Sequence, residues 1–507
     1  MENYGLLSIL PPLLAIILAI MTKNVLVSLF IGLFVGVTIV FNGNVFYALP
    51  ALFRDFLFKQ AADSYNASVM VLVLFIGGMV MLVTNSGGAA ALALRATKHI
   101  DTKKKAIIGT WIAGLAVWFS DFANATLVGP IFRPITDRLK ISREKLAWIV
   151  DATSAPVCML VPLSGFGVFG MSCIEKEFTN YNIATPVWEA FISTIPYQFY
   201  CLGALFLIPL VAFLGRDFGP MARAEKRTAA GDIHWPHAQP MGIGDAPQLS
   251  ADVKPRMSLI VYPILAIFIV FFAILIANGF PYSRIVGVNI RTGLITGYFV
   301  AGMICFGLMV FYKMRTFKET FDMYISGMKG NLFLVLVLLL AWSLSAICKE
   351  LGTANYIVSA MEGSFPAWLV APMLFLVGSL ISIATGTSYG TFAILMPIAV
   401  PMANTLGAPL IVSIAAVFSG GIFGDHCSPI SDTTLLSSMG ASCDHIEHVK
   451  TQLPYALLVG IITLAVYALA FGTSNQIVLL AILAAAITAI TVILGRTWGE
   501  KTPGGAA

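Results

Sequence analysis

Ser419-Gly420-Gly421-Ile422-Phe423-Gly424-Asp425-His426-Cys427-Ser428-Pro429-Ile430-Ser431-Asp432-Thr433-Thr434 lies inside a stretch, 409–436, that is otherwise apolar enough to cross a bilayer. Glycine and proline interrupt a helix there and free backbone carbonyls, while Ser, Thr and Asp add hard oxygens. A carboxylate at membrane depth costs roughly 2.5–3.5 kcal/mol on insertion scales, so it needs a partner or a task. A shorter stretch of the same character, Asp151-Ala152-Thr153-Ser154-Ala155-Pro156, interrupts the apolar run 145–170 and is followed by Pro162, Gly165 and Gly167. Two broken spans decide how the rest of the chain is read.

Composition agrees with that reading. Of the 507 residues, 58% are hydrophobic and only 11% charged, and the mean hydropathy is +0.88. A water-soluble protein carries about 25% charged residues to keep its surface solvated. Disorder, a coiled coil and a disulfide scaffold are excluded by the same figures. The seven cysteines are scattered without a CxxC pair and read as small buried hydrophobes. A net charge of +5, with no basic stripe interleaved with aromatics, excludes nucleic acid as a partner. Met1–Tyr4 carry no Lys or Arg before the apolar run Gly5–Met21, so that run is expected to be the first span rather than a cleavable signal.

A spanning helix needs about 20 apolar residues. Spans are expected near 5–22, 24–42, 67–85, 145–170, 188–214, 257–278, 292–312, 328–348, 409–436, 453–472 and 475–494. Two further stretches, 105–138 and 368–406, are long but have polar, small-residue centres at Asp121–Thr126 and Thr385–Thr391. Non-helical backbone at membrane depth is tolerated only inside protein or beside a watery cavity, so both are expected to be re-entrant hairpins. The stretch 46–58 reads as an interfacial amphipathic helix.

The hydrophilic segment 216–256 divides the chain into similar halves. Sliding Leu72 onto Leu336 sets Gly88 on Gly352 and Asp121 on Thr385, and a slightly larger displacement sets Asp151–Pro156 beside Gly424–Pro429. Each half, 1–215 and 257–474, then holds five spans and a hairpin. An odd number of crossings makes the two halves inverted repeats, an arrangement of secondary transporters. The expected fold is therefore an all-α polytopic membrane protein with about 11 spans and two hairpins. Segment 216–256 is expected to be a cytoplasmic linker, and 475–507 an extra span with a cytoplasmic tail. With the N-terminus outside, the inner side receives 23 of the 30 basic residues and the outer side six, as the positive-inside rule requires.

Four carboxylates are candidates for carrying an ion or a proton: Asp121, Asp151, Asp425 and Asp432. Hard oxygens suit Na⁺ by the logic that governs other hard cations, and a carboxylate withdrawn from water takes up a proton more readily. One site holding either ion is the minimum needed for exchange. Asn124, Thr126, Thr153, Ser154, Thr387, Ser388, Ser428, Ser431 and Thr433 are the supporting polar groups. Simpler roles stand beside these: Asp432 as the cap of a half-helix, Asp121 as a cap or interfacial group, the hairpin hydroxyls as partners of backbone. A zinc site at His426, Cys427, Cys443, His445 and His448 lacks ligand spacing.

The string Gly424-Asp425-His426-Cys427-Ser428-Pro429-Ile430-Ser431-Asp432-Thr433-Thr434, continuing through Ser437-Ser438-Met439-Gly440 to His448-Val449-Lys450-Thr451-Gln452-Leu453-Pro454-Tyr455, resembles the NhaC family of bacterial Na⁺/H⁺ antiporters. The family is similar to the wider ion-transporter superfamily. The likeness covers roughly 1–475 and implies a homodimeric scaffold with elevator-like movement in the bacterial inner membrane. Related members couple Na⁺ or H⁺ to malate, lactate or amino acids. The expected function is thus Na⁺/H⁺ exchange, with coupled transport of a small organic acid or amino acid as the alternative. No cofactor beyond transported Na⁺ is expected, and no Ser/Lys or metal constellation points to an enzyme.

Overall fold

The computed structural model describes residues 4–22, 24–88, 91, 100–241, 256–280, 287–353, 356, 366–473 and 475–501. A short turn, Gly5–Ile9, leads into α1 (Leu10–Thr22), and α2 (Val25–Val40) begins where the Asn24 side chain accepts the Val27 amide. α3 (Val45–Ala62) turns away by 120° and leaves Phe46, Phe53 and Phe58 exposed. After α4 (Ser64–Asn85) come the arms of the first hairpin, α5 (Lys103–Ala116) and α6 (Asp121–Arg138). The first broken span is α7 (Arg143–Ala152), α8 (Ala155–Leu160) and α9 (Gly165–Asn180). α10 (Val187–Thr194) and α11 (Phe199–Leu214) complete the first half.

β1 (Arg216–Phe218) and α12 (Gly219–Ala230) precede the second half. It runs through α13 (Ser258–Ala277), α14 (Gly287–Phe311), α15 (Phe317–Gly330) and α16 (Leu332–Glu350). Next come the hairpin arms α17 (Val370–Thr385) and α18 (Ser388–Leu406), then the broken span α19 (Leu410–Cys427) and α20 (Asp432–Ala441). α21 (His445–Leu469) and α22 (Gln476–Thr497) follow, and β2 (Gly499–Lys501) pairs with β1. Among the described residues ten helices are long and apolar enough to span, or up to 13 if each bent pair is one span. The chain is a predominantly helical, multi-pass membrane protein.

The halves interlock by exchange. α4 packs on α14 and α15 of the second half, and α16 packs on α2 of the first. Likewise α6 packs on α20, and α18 on α9, so each hairpin meets the far piece of the other half's broken span. α6 carries Pro130 and Pro134, and α18 carries Pro397 and Pro401, at matching distances from their first residues. That register sets Asp121 on Ser388 rather than on Thr385. Without a hydrophobic drive between helices in lipid, close backbone approach has to supply contact. Gly129 and Gly440 provide it where α6 crosses α20: a Cβ on Gly129 would meet the Gly440 carbonyl carbon at 2.7 Å.

Three expectations are corrected. The span 188–214 is bent by 46° between its two helices, where Pro196 removes a ladder donor. The span expected at 328–348 begins at Phe317, because Thr316 and Glu319 form a capping box there. Thirdly, 216–241 is not a free linker (residues 242–255 and the tail 502–507 lie outside the described residues). Phe218 stacks on Tyr455 with centroids 4.2 Å apart. Buried Asp217 accepts from Lys145 Nζ at 2.7 Å and from Tyr455 Oη at 2.9 Å. Arg227 grips Glu144 through both guanidinium arms, at 2.7 and 2.9 Å, and Glu225 accepts the Ser142 amide at 2.7 Å. The sequence reading saw few large apolar residues here, but ionic and hydrogen-bonding partners bury Asp217, Glu225 and Arg227, while most of 230–241 is exposed.

Removing one member of a buried pair leaves the other charge stranded, at about 3–5 kcal/mol. Asp217→Ala should therefore lower the thermal unfolding midpoint in detergent, and adding Lys145→Met should recover part of the loss. A single variant as stable as wild type would show that the clasp contributes nothing.

Candidate functional site

The second break is built so that one carboxylate sits at the end of a helix inside the protein. α19 stops at Cys427, and the Ser428 amide bonds the Asp425 carbonyl at 3.0 Å. The Asp425 carboxylate accepts Ser388 Oγ on one oxygen and Ser431 Oγ on the other, each at 2.6 Å. Ser431 is the residue before α20 and lies 3.0 Å from Thr433 Oγ1. Ser388 is the first residue of α18, so the hairpin tip and the break close on the same side chain. Gly386 makes the tip possible: its φ of +68° is left-handed, and a Cβ would press on the Ile430 carbonyl oxygen at 2.7 Å.

The first break repeats the plan. Here the Ser154 amide bonds the Asp151 carbonyl at 3.1 Å, so Asp151 and Asp425 stand at the same place, three residues before the turn. Register from the breaks thus pairs Asp151 with Asp425 itself, not with Gly424. The Asp151 carboxylate accepts Thr434 Oγ1 at 2.9 Å and Gln452 Nε2 at 2.8 Å, with Ser437 Oγ at 3.5 Å. All three come from the other half of the chain. α20 therefore holds both carboxylates, Asp425 by the residue that precedes it and Asp151 by its first two turns. Both are buried, and among the described residues no Lys or Arg pairs with either.

Other expected residues divide. Asn124 Nδ2 donates to the Gly114 and Thr153 carbonyls, both at 2.8 Å, tying hairpin to break. Its buried Oδ1 has no hydrogen-bond partner among the described residues. Ser428 Oγ donates to the Ile383 carbonyl at 2.8 Å, Ser154 to its own helix end, and Thr153 to the Ile149 carbonyl. Thr126 bonds back to Phe122, and the Thr387 side chain makes no cap bond. Asp121 is buried at the first residue of α6, behind the cap Ser120. It lines a cavity of about 350 Å³ with Ser120, Thr126, Asn331 and Tyr389. No hydrogen bond among the described residues joins it to the other two carboxylates. Asp432 is corrected: Ser431 occupies the cap, and Asp432 is exposed at the first residue of α20.

The sequence reading missed the polar run behind Asp151. Gln452 Nε2 also donates to the His426 carbonyl, which orients the amide so that Oε1 meets His448 Nε2 at 2.8 Å. His448 Nδ1 reaches Ser438 Oγ at 2.8 Å, and His426 Nδ1 reaches Tyr200 Oη at 2.6 Å. The signal was a run of buried polar residues in an apolar helix, with His448 and Gln452 four apart on one face of α21.

A profile described as the Na⁺/H⁺ antiporter family matches residues 3–177 and 174–473. An uncharacterised protein of Haemophilus influenzae is 32% identical over 473 residues, covering 90% of this chain and 89% of its own. The malate-2H⁺/Na⁺-lactate antiporter of Bacillus subtilis is 27% identical over 203 residues, 40% of this chain and 42% of its own. The YdaH transporter of Alcanivorax borkumensis, described as having an unusual topology, has a similar fold. Its TM-score is 0.58 at 14% identity, over 86% of this chain and 90% of that one.

Gln452→Leu would strand His448 Nε2 and leave the Asp151 oxygen it shares with Thr434 one donor short, at about 1–3 kcal/mol, and should lower the unfolding midpoint in detergent. Asp432→Asn, at an exposed position, should stay within about 0.5 kcal/mol of wild type. The reverse order of effects would contradict these assignments.

Proposed function

The chain belongs to the Na⁺/H⁺ antiporter family and is a secondary transporter; we propose that it exchanges Na⁺ for H⁺, with Asp151 and Asp425 holding either ion in turn. The observation that carries this is their equivalence. Each lies buried in the last turn before a helix break, held only by neutral donors. The C-terminal end of a half-helix concentrates carbonyl dipole, which favours a cation. Hydroxyls that donate to an empty carboxylate can turn and offer lone pairs when Na⁺ enters. The unpartnered Oδ1 of Asn124 is a further neutral oxygen beside the first break. A proton on the carboxylate removes the charge that Na⁺ needs, so the two ions exclude each other.

The reciprocal contacts between the halves agree with inverted repeats; a bacterial inner-membrane location is proposed from the family, and the N-terminus outside with the C-terminus inside from the loop charges. Dimer formation and elevator movement follow from the family resemblance. A coupled organic acid is the second reading, favoured by the malate-2H⁺/Na⁺-lactate relative. The cavity beside Asp121 has room for one, but among the described residues no Lys or Arg lines it, and a carboxylate substrate would want a cationic partner.

Proteoliposomes with an entrapped pH dye test this. Na⁺ alone should move protons, and Asp425→Asn and Asp151→Asn should each reduce the flux to that of empty liposomes while inserting normally. Mutual exclusion also fixes the pH dependence. Where the carboxyl is mostly protonated, each pH unit downward should raise the half-saturating Na⁺ concentration about tenfold. Flux that appears only with malate or lactate would favour the second reading, and full activity in Asp425→Asn would remove Asp425 from the site.

A further inference from the structure

A groove of about 760 Å³ lies away from the ion site, between α12, α21 and α22. Its wall is apolar along Leu453, Leu457 and Ile461 on α21 and along Ile490 and Leu494 on α22. The ionisable groups that line it (Arg223, His237, Glu447 and Lys450) belong to α12, the segment behind it, and the first turns of α21. Trp235 and Trp498 line it as well, and tryptophan collects at the headgroup level of a bilayer. Eleven residues separate Lys450 from Ile461, about 16 Å along a helix, which approaches half the thickness of a hydrocarbon core.

Charge decides what this groove can hold. Glu447 is engaged by Lys450 at 2.8 Å and by His237 at 3.3 Å. Arg223 is exposed and, among the described residues, has no hydrogen bond or ion pair. The mouth therefore carries an uncompensated cation above an apolar slot of acyl-chain length. We propose that the groove is a binding site for an anionic phospholipid, its phosphate on Arg223 and Lys450 and a chain along Leu457 and Ile461. The site faces the leaflet on the side to which the loops assign most Lys and Arg. A lipid there would rest on α12, the helix whose Glu225 and Arg227 hold the start of α7.

Native mass spectrometry of the full chain in detergent tests it, with phosphatidylglycerol and phosphatidylcholine of identical chains. One net positive charge near a headgroup predicts retention of the anionic lipid about five-fold better. Arg223→Gln with Lys450→Gln should remove that preference, while Leu457→Trp, which fills the slot, should weaken retention of both lipids. Neither change touches the carboxylate site, so transport of Na⁺ by itself does not enter the reading. Equal retention of the two lipids, or an undiminished preference in the double variant, would overturn the proposal. So would inorganic phosphate competing as well as phosphatidylglycerol, which would mean a free-anion site. A dimer dissociated by Leu457→Trp with lipid retention unchanged would assign the groove to a second copy of the chain.

Discussion

Backbone that leaves the helix inside a membrane has to find every hydrogen-bond partner within the protein. At the break Ser428–Ser431 the Ile430 amide turns to Ser428 Oγ and the Ser431 amide to the Ser428 carbonyl, both at 3.3 Å. Ser428 ties the break to the Ile383 carbonyl, Ser382 takes the Gly421 carbonyl, and the Ser431 hydroxyl turns to Asp425. These bonds tie the second hairpin to the broken span, with the Ile383 carbonyl accepting from Ser428 and the Ser382 hydroxyl donating to the Gly421 carbonyl of α19. Gly424 lets it come close, since a Cβ there would meet Ser382 Cβ at 2.5 Å. The same short loop thus solves a packing problem and presents a carboxylate.

A second consequence is that the site belongs to neither half alone. Asp151 comes from the first broken span, but its donors Thr434, Ser437 and Gln452 come from the second half. Any movement that separates α7 from α20 and α21 changes what surrounds Asp151. The clasp at Asp217, Glu225 and Arg227 grips α7 at its opposite end, near Ser142, Glu144 and Lys145. α7 is therefore held at both ends by residues far away in the chain, once through charge and once through hydroxyls.

Much of this was legible before any coordinates. Apolar runs of membrane-spanning length, the loop charges, and Gly, Pro and Asp inside two of those runs determine by themselves a multi-pass helical protein with two broken spans. Those signals are local: each is read within about 20 residues. Asp121, Asp151 and Asp425 were likewise marked by residue type, because a carboxylate among apolar neighbours is costly wherever it sits. What tertiary structure decided is non-local. It separated Asp432, turned outward after its cap, from Asp425 only seven positions earlier. It joined Asp151 to Gln452, and it buried a hydrophilic segment through the Lys145–Asp217 and Glu144–Arg227 pairs. The polar residues themselves can be picked out in the sequence, but their pairings have no signature there, because hydrogen-bond and ionic partners are chosen by distance in the folded chain, and periodicity reports only which residues share a face.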